Sequence, residues 1–141
     1  MSTESVLPPA ELQRLMHSGV PLAAAFDIGV EAAGAGTIRV RLPFKPDFLR
    51  PGGTVTGPAL FALADLALWG VVLTRLGREE LAVTTNLTLN FLRKPPPRAV
   101  IGEGRLIKLG KRLAYGEVFL YSEGDDEPVA HATGTYSIPP R

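Results

Sequence analysis

The sequence predicts an α+β domain in which one antiparallel sheet is laid over a single long helix, and three observations carry that prediction. From Gly57 to Leu76 the chain is apolar on nearly every helical face, the mark of a helix surrounded by protein. Four later segments, Leu81 to Leu92, Ala99 to Lys108, Leu113 to Ser122 and Pro128 to Ile138, read as strands. Turns at Leu109-Gly110-Lys111 and Glu123 to Glu127 separate the last three, so that three consecutive strand pairs can be antiparallel. One helix on one sheet is a layered α+β arrangement.

A chain of 141 residues fits a single domain over 1–141, with 1–20 as an N-terminal helical extension. Its 15 Lys and Arg against 14 Asp and Glu leave a net charge of +1, without the basic excess that marks nucleic-acid binding. The absence of cysteine removes disulfides, thiolate metal sites and a cysteine nucleophile. Two histidines, His17 and His131, give no basis for a histidine-rich metal site. Met1 to Pro9 lacks the basic start and apolar core of a signal peptide. The apolar run is long enough to cross a bilayer, but it contains Asp65 and Thr74 and is flanked by amphipathic strand patterns. It reads as a core helix, and a soluble cytoplasmic protein with no membrane partner is expected.

Taken in order, Pro8 to Ser18 is a short helix with Leu12, Leu15 and Met16 at helical spacing, stopped by Gly19 and Pro21. His17 near its C-terminal end suits the helix dipole. Phe26 to Val30 and Thr37 to Leu42 are extended, split by Gly34 and Gly36 into a hairpin or a bulged strand. Pro43 to Gly53, rich in proline and glycine, is a loop that runs into the long helix. Thr56 is the N-cap of that helix, Pro58 sits in its first turn, and Gly77 closes it between Arg75 and Arg78. At 1.5 Å per residue it is roughly 30 Å long.

In the strand after the helix, Val83, Thr85, Leu87, Leu89 and Phe91 alternate with a polar, uncharged row of Thr84, Asn86, Thr88 and Asn90. That row faces solvent or a second subunit, or places a hydroxyl near a site. Arg93-Lys94-Pro95-Pro96-Pro97-Arg98 breaks the strand with a rigid basic connection. His131 lies within the last strand as a satisfied strand residue. A single sheet covers only one flank of a helix that is apolar all round. The same helix of a second subunit, across a two-fold axis, is the economical cover for the other.

Asp65 is the anomaly in this plan. Its neighbours at three and four residues are Phe61, Ala62, Leu68 and Trp69, none of which can pair with a charge. A buried carboxylate without a partner costs several kcal/mol, so the fold must supply donors, admit water or raise its pKa. Backbone amides or a neighbouring strand would make it structural; a cleft would make it a general base or nucleophile.

Three stretches carry a resemblance to a known family. Gly53-Thr54-Val55-Thr56-Gly57-Pro58 with Asp65 seven residues on, Val83 to Pro95, and the Leu109-Gly110-Lys111-Arg112-Leu113 turn resemble the hotdog-fold acyl-CoA thioesterases of the PaaI-like type, the phenylacetate-pathway and hydroxybenzoyl-CoA thioesterases. The likeness runs from about residue 25 to the end. It implies a five- or six-stranded antiparallel sheet wrapped around the long helix, and a homodimer often doubled to a tetramer with active sites at the dimer interface. It also implies roles: Asp65 activates water or attacks the thioester, the Gly57 N–H polarises the carbonyl, and Thr84 from the other subunit completes the site. The helix N-terminus offers free donors where negative charge develops, and glycine allows close approach. A thioester is already activated, so neither metal nor cofactor is required, and coenzyme A enters only as part of the substrate.

Two positions depart from the family pattern. Members commonly carry Asn where this chain has Arg50, and His-Gly-Gly where it has Thr56-Gly57-Pro58. Arg50 either replaces those groups as a cationic oxyanion donor or pairs with Asp65 and weakens it as a base. Phosphates of coenzyme A need cations, for which Arg93 and Lys94, and Lys108, Lys111 and Arg112 at the hairpin turn, are the candidates. A non-catalytic acyl-CoA or acyl-carrier binding module on the same fold is the alternative. A dehydratase ranks third, because no histidine lies in the helix or its loop.

Overall fold

The computed structural model describes residues 3–140. Helix α1 (Pro9–Gly19) and the short α2 (Pro21–Ala25) precede a hairpin of β1 (Gly29–Gly34) and β2 (Thr37–Leu42). A 3-10 turn (Pro46–Phe48) leads into a two-residue-per-strand hairpin, β3 (Leu49–Arg50) and β4 (Thr54–Val55). The long helix α3 (Gly57–Leu76) follows, then β5 (Val83–Phe91), β6 (Val100–Leu109), β7 (Leu113–Ser122) and β8 (Pro128–Ser137). The six long strands form one antiparallel sheet in the order β1-β2-β6-β7-β8-β5, wrapped around α3 as the hotdog resemblance implies.

Helix α3 occupies the bounds read from its sequence. Gly77, at φ 76°, turns the chain out of the helix and donates its N–H to the Leu73 carbonyl at 2.9 Å. The helix reaches the sheet closely because Gly116 and Gly134 face each other across β7 and β8. A Cβ at either would stand about 3 Å or less from a Leu68 methyl, so the paired glycines form the notch that Leu68 fills. Leu60, Leu63, Leu73, Val40, Val100 and Leu120 are fully buried around this contact.

Several expectations change. The strand pairs are not all consecutive: β6–β7 and β7–β8 pair as expected, but β5 pairs with β8 at the sheet edge and β6 pairs with β2. The triple-proline connection cannot close a tight hairpin, so it carries the chain across the sheet instead. Residues 21–25 are helical, and the first strand starts at Gly29 rather than Phe26. The loop 43–53 holds β3 and the turn of the β3–β4 hairpin, which uses Gly52 and Gly53 at positive φ. Thr56 occupies the N-cap position, but its side chain makes no capping hydrogen bond.

The far flank of α3 is covered in part by the chain itself. Helix α1 packs on its C-terminal half, where Leu12, Leu15, Met16 and Trp69 are buried. Pro58, Phe61, Ala62 and Asp65, one stripe at helical spacing, stay open beside the edge strand β5. Val83 and Phe91 of that strand are more than half exposed.

Candidate active site

Thr84 and Tyr136 bring two hydroxyls to Asp65. The β5–β8 ladder is regular except for a bulge between Thr84 and Asn86, where an extra residue stands in β5. Past the bulge Leu87 pairs with Gly134, and before it Thr84 pairs with Tyr136; Gly134 and Tyr136 are both buried. The bulge therefore turns Thr84 to the helix side, against the face that uninterrupted alternation assigns it. Its Oγ1 donates to Asp65 Oδ1 at 2.7 Å, and the Tyr136 hydroxyl donates to the same oxygen at 2.6 Å. The resemblance implies a threonine from the other subunit, whereas here Asp65 is reached by Thr84 of its own chain.

The carboxylate is half-buried and lies in a cleft of about 320 Å³, whose apolar walls include Leu22, Leu66, Trp69 and Ala82. The donors demanded by a carboxylate on an apolar helix come from the sheet. Tyr136 is 5% exposed, and burial first, then the Asp65 charge and the hydrogen bond to it, push its phenol far above the usual tyrosine value. It stays protonated and acts as a donor. Sequence reasoning passed over this residue. Its signal was a lone hydroxyl in the inward row Ala130, Ala132, Gly134, Tyr136, since a buried tyrosine hydroxyl needs a partner.

The start of α3 forms a second cleft, of about 430 Å³, lined by Arg50, Thr54, Gly57, Phe91, Arg93 and Lys94 among others. The first intrahelical bond is Leu60 N to Thr56 O, and the Gly57 N–H has no acceptor among the described residues. The Phe91 ring packs over Gly57, at 3.4 Å from where a Cβ would stand. Thr56 is half-buried, with its own N–H held by the Phe48 carbonyl at 2.7 Å. Arg50 is exposed and, among the described residues, forms no ion pair with Asp65. Arg93 is paired with Glu127 at 2.8 Å, while Lys94 is exposed.

The predicted site residues, with Tyr136 added, thus fall into two groups at opposite ends of β5. Asp65, Thr84 and Tyr136 stand at its start, near the β6–β7 turn that carries Lys111 and Arg112 and whose Arg112 carbonyl accepts from Ile138 N at 2.7 Å. Arg50, Gly57, Arg93 and Lys94 stand at its end. From Thr84 to Phe91 the strand covers roughly 23 Å. Among the described residues no cluster of His, Asp or Glu suits a metal ion, and His17 and His131 are engaged elsewhere, with the Ile28 carbonyl and with Glu117.

Comparison with known proteins agrees with this architecture. A solved chain from Silicibacter sp. TM1040, provisionally named a thioesterase, is 45% identical, with 99% of this chain and 97% of that one covered at a TM-score of 0.89. A mutant of the phenylacetic acid degradation protein PaaI from Thermus thermophilus is 28% identical, covering 84% of this chain and 99% of that one at a TM-score of 0.75. A provisionally named esterase of Saccharolobus solfataricus is 31% identical over 111 residues, 79% of this chain and 73% of its own length. A family model described as Thioesterase superfamily matches residues 52–129, and with its sheet wrapped on α3 the chain belongs to that superfamily, in its PaaI-like hotdog form.

Proposed function

We propose that this protein is an acyl-CoA thioesterase that works as a homodimer, each site combining Asp65 and Thr84 of one protomer with the helix start of the other. The observation that carries the proposal is the pair of half-sites: a carboxylate held by hydroxyls in an apolar cleft, and an unfilled helix N-terminus in a basic cleft. Pairing of β5 with its two-fold copy along the open sheet edge would set the start of one strand beside the end of the other. It would also cover the stripe of Pro58, Phe61 and Ala62.

In that arrangement the thioester carbonyl accepts from Gly57 N–H of the partner subunit, with Arg50 of the partner subunit as a second, cationic donor and Thr56 setting the helix entry. Asp65 takes a proton from water as that water adds to the carbonyl carbon, the C–S bond breaks, and the proton returns from Asp65 to the leaving thiolate. Alternatively the Asp65 carboxylate adds to the carbon itself and expels the thiolate, which takes a proton from solvent, and water then hydrolyses the acyl–Asp65 anhydride. The products are the free acid and coenzyme A. The chemistry calls on no metal or organic cofactor, and we place the protein in the cytoplasm as a dimer or a dimer of dimers.

Thiol release from aromatic, short-chain and long-chain acyl-CoAs tests the reading. Turnover that collapses in Asp65→Asn while the dimer stays folded supports it. Binding of the esters without release, by the parent protein, would identify a binding module instead. Sedimentation showing a folded monomer at micromolar concentration would remove the shared site.

A further inference from the structure

We infer that Tyr136 is a positioning residue that makes Asp65 act through one defined oxygen, Oδ2, by occupying the other. The inference rests on the proposed role of Asp65 as base or nucleophile and adds which atom reacts and what fixes it.

Two hydroxyls converge on Oδ1, Thr84 at 2.7 Å and Tyr136 at 2.6 Å, and among the described residues no donor reaches Oδ2. The two donors come from residues paired across β5 and β8, so the sheet sets their spacing. The Tyr136 hydroxyl also lies 3.0 Å from the Asp65 main-chain carbonyl, which ties the ring to the helix as well as to the carboxylate. A phenol has one proton, and the carboxylate is the stronger acceptor. Rotation of the carboxylate about its last bond would give up both bonds, so Oδ2 stays the oxygen without a donor.

Few other charges reach this carboxylate. Along the cleft the α1–α2 junction contributes Gly19, Val20 and Leu22, and α3 contributes Ala62, Leu66 and Trp69, none of them titratable. Glu80 is the remaining titratable group in the lining, exposed and paired with Arg78 at 3.3 Å. Among the described residues of one protomer no cation lines the cleft; in the proposed shared site the cation brought to it is Arg50 of the partner subunit, which serves the carbonyl rather than the Asp65 carboxylate.

The test is Tyr136→Phe, which keeps the ring and removes the hydroxyl. We expect kcat to fall on the order of tenfold with KM unchanged, the size of one charge-assisted hydrogen bond. A kcat equal to that of the parent, or a loss carried by KM alone, overturns the inference. Incorporation of 3-fluorotyrosine at position 136, which keeps the hydroxyl, should retain the parental kcat to within about twofold; a fall as large as that of Tyr136→Phe would show that ring packing and not the hydroxyl matters, and also overturns it. Should the parent release no thiol at all, the acyl-CoA reading fails separately. The ¹³C signal of the Asp65 carboxyl then reports on Tyr136 directly: a changed chemical shift in Tyr136→Phe at one neutral pH supports the inference, and coincident signals refute it.

Discussion

Gly57 and Asp65 stand eight residues apart on the same helix, about 12 Å along its axis. That separation is too long for the N–H of one and the carboxylate of the other to act on a single carbonyl group, where donors and base must both lie near 3 Å from reacting atoms. A shared site therefore predicts complementation. Gly57→Pro removes the N–H at a position where proline suits the helix start and a Cβ would make only ordinary contact with Phe91. Alone it should be inactive, as should Asp65→Asn. Mixed, unfolded and refolded together, they should regain about a quarter of parental activity, because half the dimers are mixed and each holds one intact site. Continued inactivity of the mixture, with mixed dimers shown by mass spectrometry, would place the whole site in one chain.

Charge at the site mouth gives the second prediction. Lys111 and Arg112 sit at the Asp65 end of the sheet and Arg93 and Lys94 at the Gly57 end, so the proposed β5 pairing would gather all four, two from each protomer, around one opening. Lys111→Glu with Arg112→Glu should raise KM for acyl-CoA on the order of tenfold, the loss of charge-assisted phosphate contacts. The matching N-acetylcysteamine thioester, which lacks the nucleotide, should be hydrolysed as by the parent. Equal effects on both substrates would show that the turn acts on the acyl half or on folding.

How much of this was legible depended on range. The ends of α3 are signalled locally, by Thr56 and Pro58 at one side and Gly77 at the other, and the helix lies between them. Asp65 stood out because nothing at helical spacing could pair with it, and the structure answers with two hydroxyls. Uninterrupted alternation groups Thr84 with Asn86, Thr88 and Asn90, but a one-residue bulge inverts the alternation and leaves no mark in Thr84-Thr85-Asn86; that Thr84 belongs to the site comes from the resemblance and not from the period. The place of β5 beside β8 was illegible for a related reason: turn residues fix neighbours along the chain, whereas this pairing joins residues some fifty apart, such as Thr84 and Tyr136. Tyr136 was hidden for the same reason, since its partner belongs to another element.

Close packing of helix on sheet gives a stability prediction. At Gly134 a Cβ would come within 2.7 Å of a Leu68 methyl and 2.9 Å of the Asn86 carbonyl oxygen. The methyl can turn, but the carbonyl belongs to the paired strand. Gly134→Ala should cost about 1–3 kcal/mol, the usual range for overpacking, read as a lower urea midpoint with an unchanged slope. Because Gly134 precedes Tyr136 on the inward face, an unaltered midpoint would mean that β5 shifts readily, and activity should then fall instead.

The outer face of the sheet carries a pH-dependent element unrelated to the site. Glu117 accepts from Arg105 Nε at 2.6 Å and is joined to His131 Nε2 at 2.9 Å, and its side chain is only 13% exposed. The hydrogen bond to His131 first, against the opposing effect of burial, and then the Arg105 pair hold its carboxyl below the usual glutamate value of 4.5. A carboxylate whose value is lower in the folded than in the unfolded chain adds stability above the unfolded value, and that stability is lost as pH falls through the folded one. The parent should therefore be more resistant to urea than Glu117→Gln at neutral pH, and the gap should narrow as pH drops below about 4.5. Urea midpoints of both proteins across that range measure it. A gap that stayed constant down to about pH 3 would show that Glu117 contributes by its packing against the sheet and not as an ion.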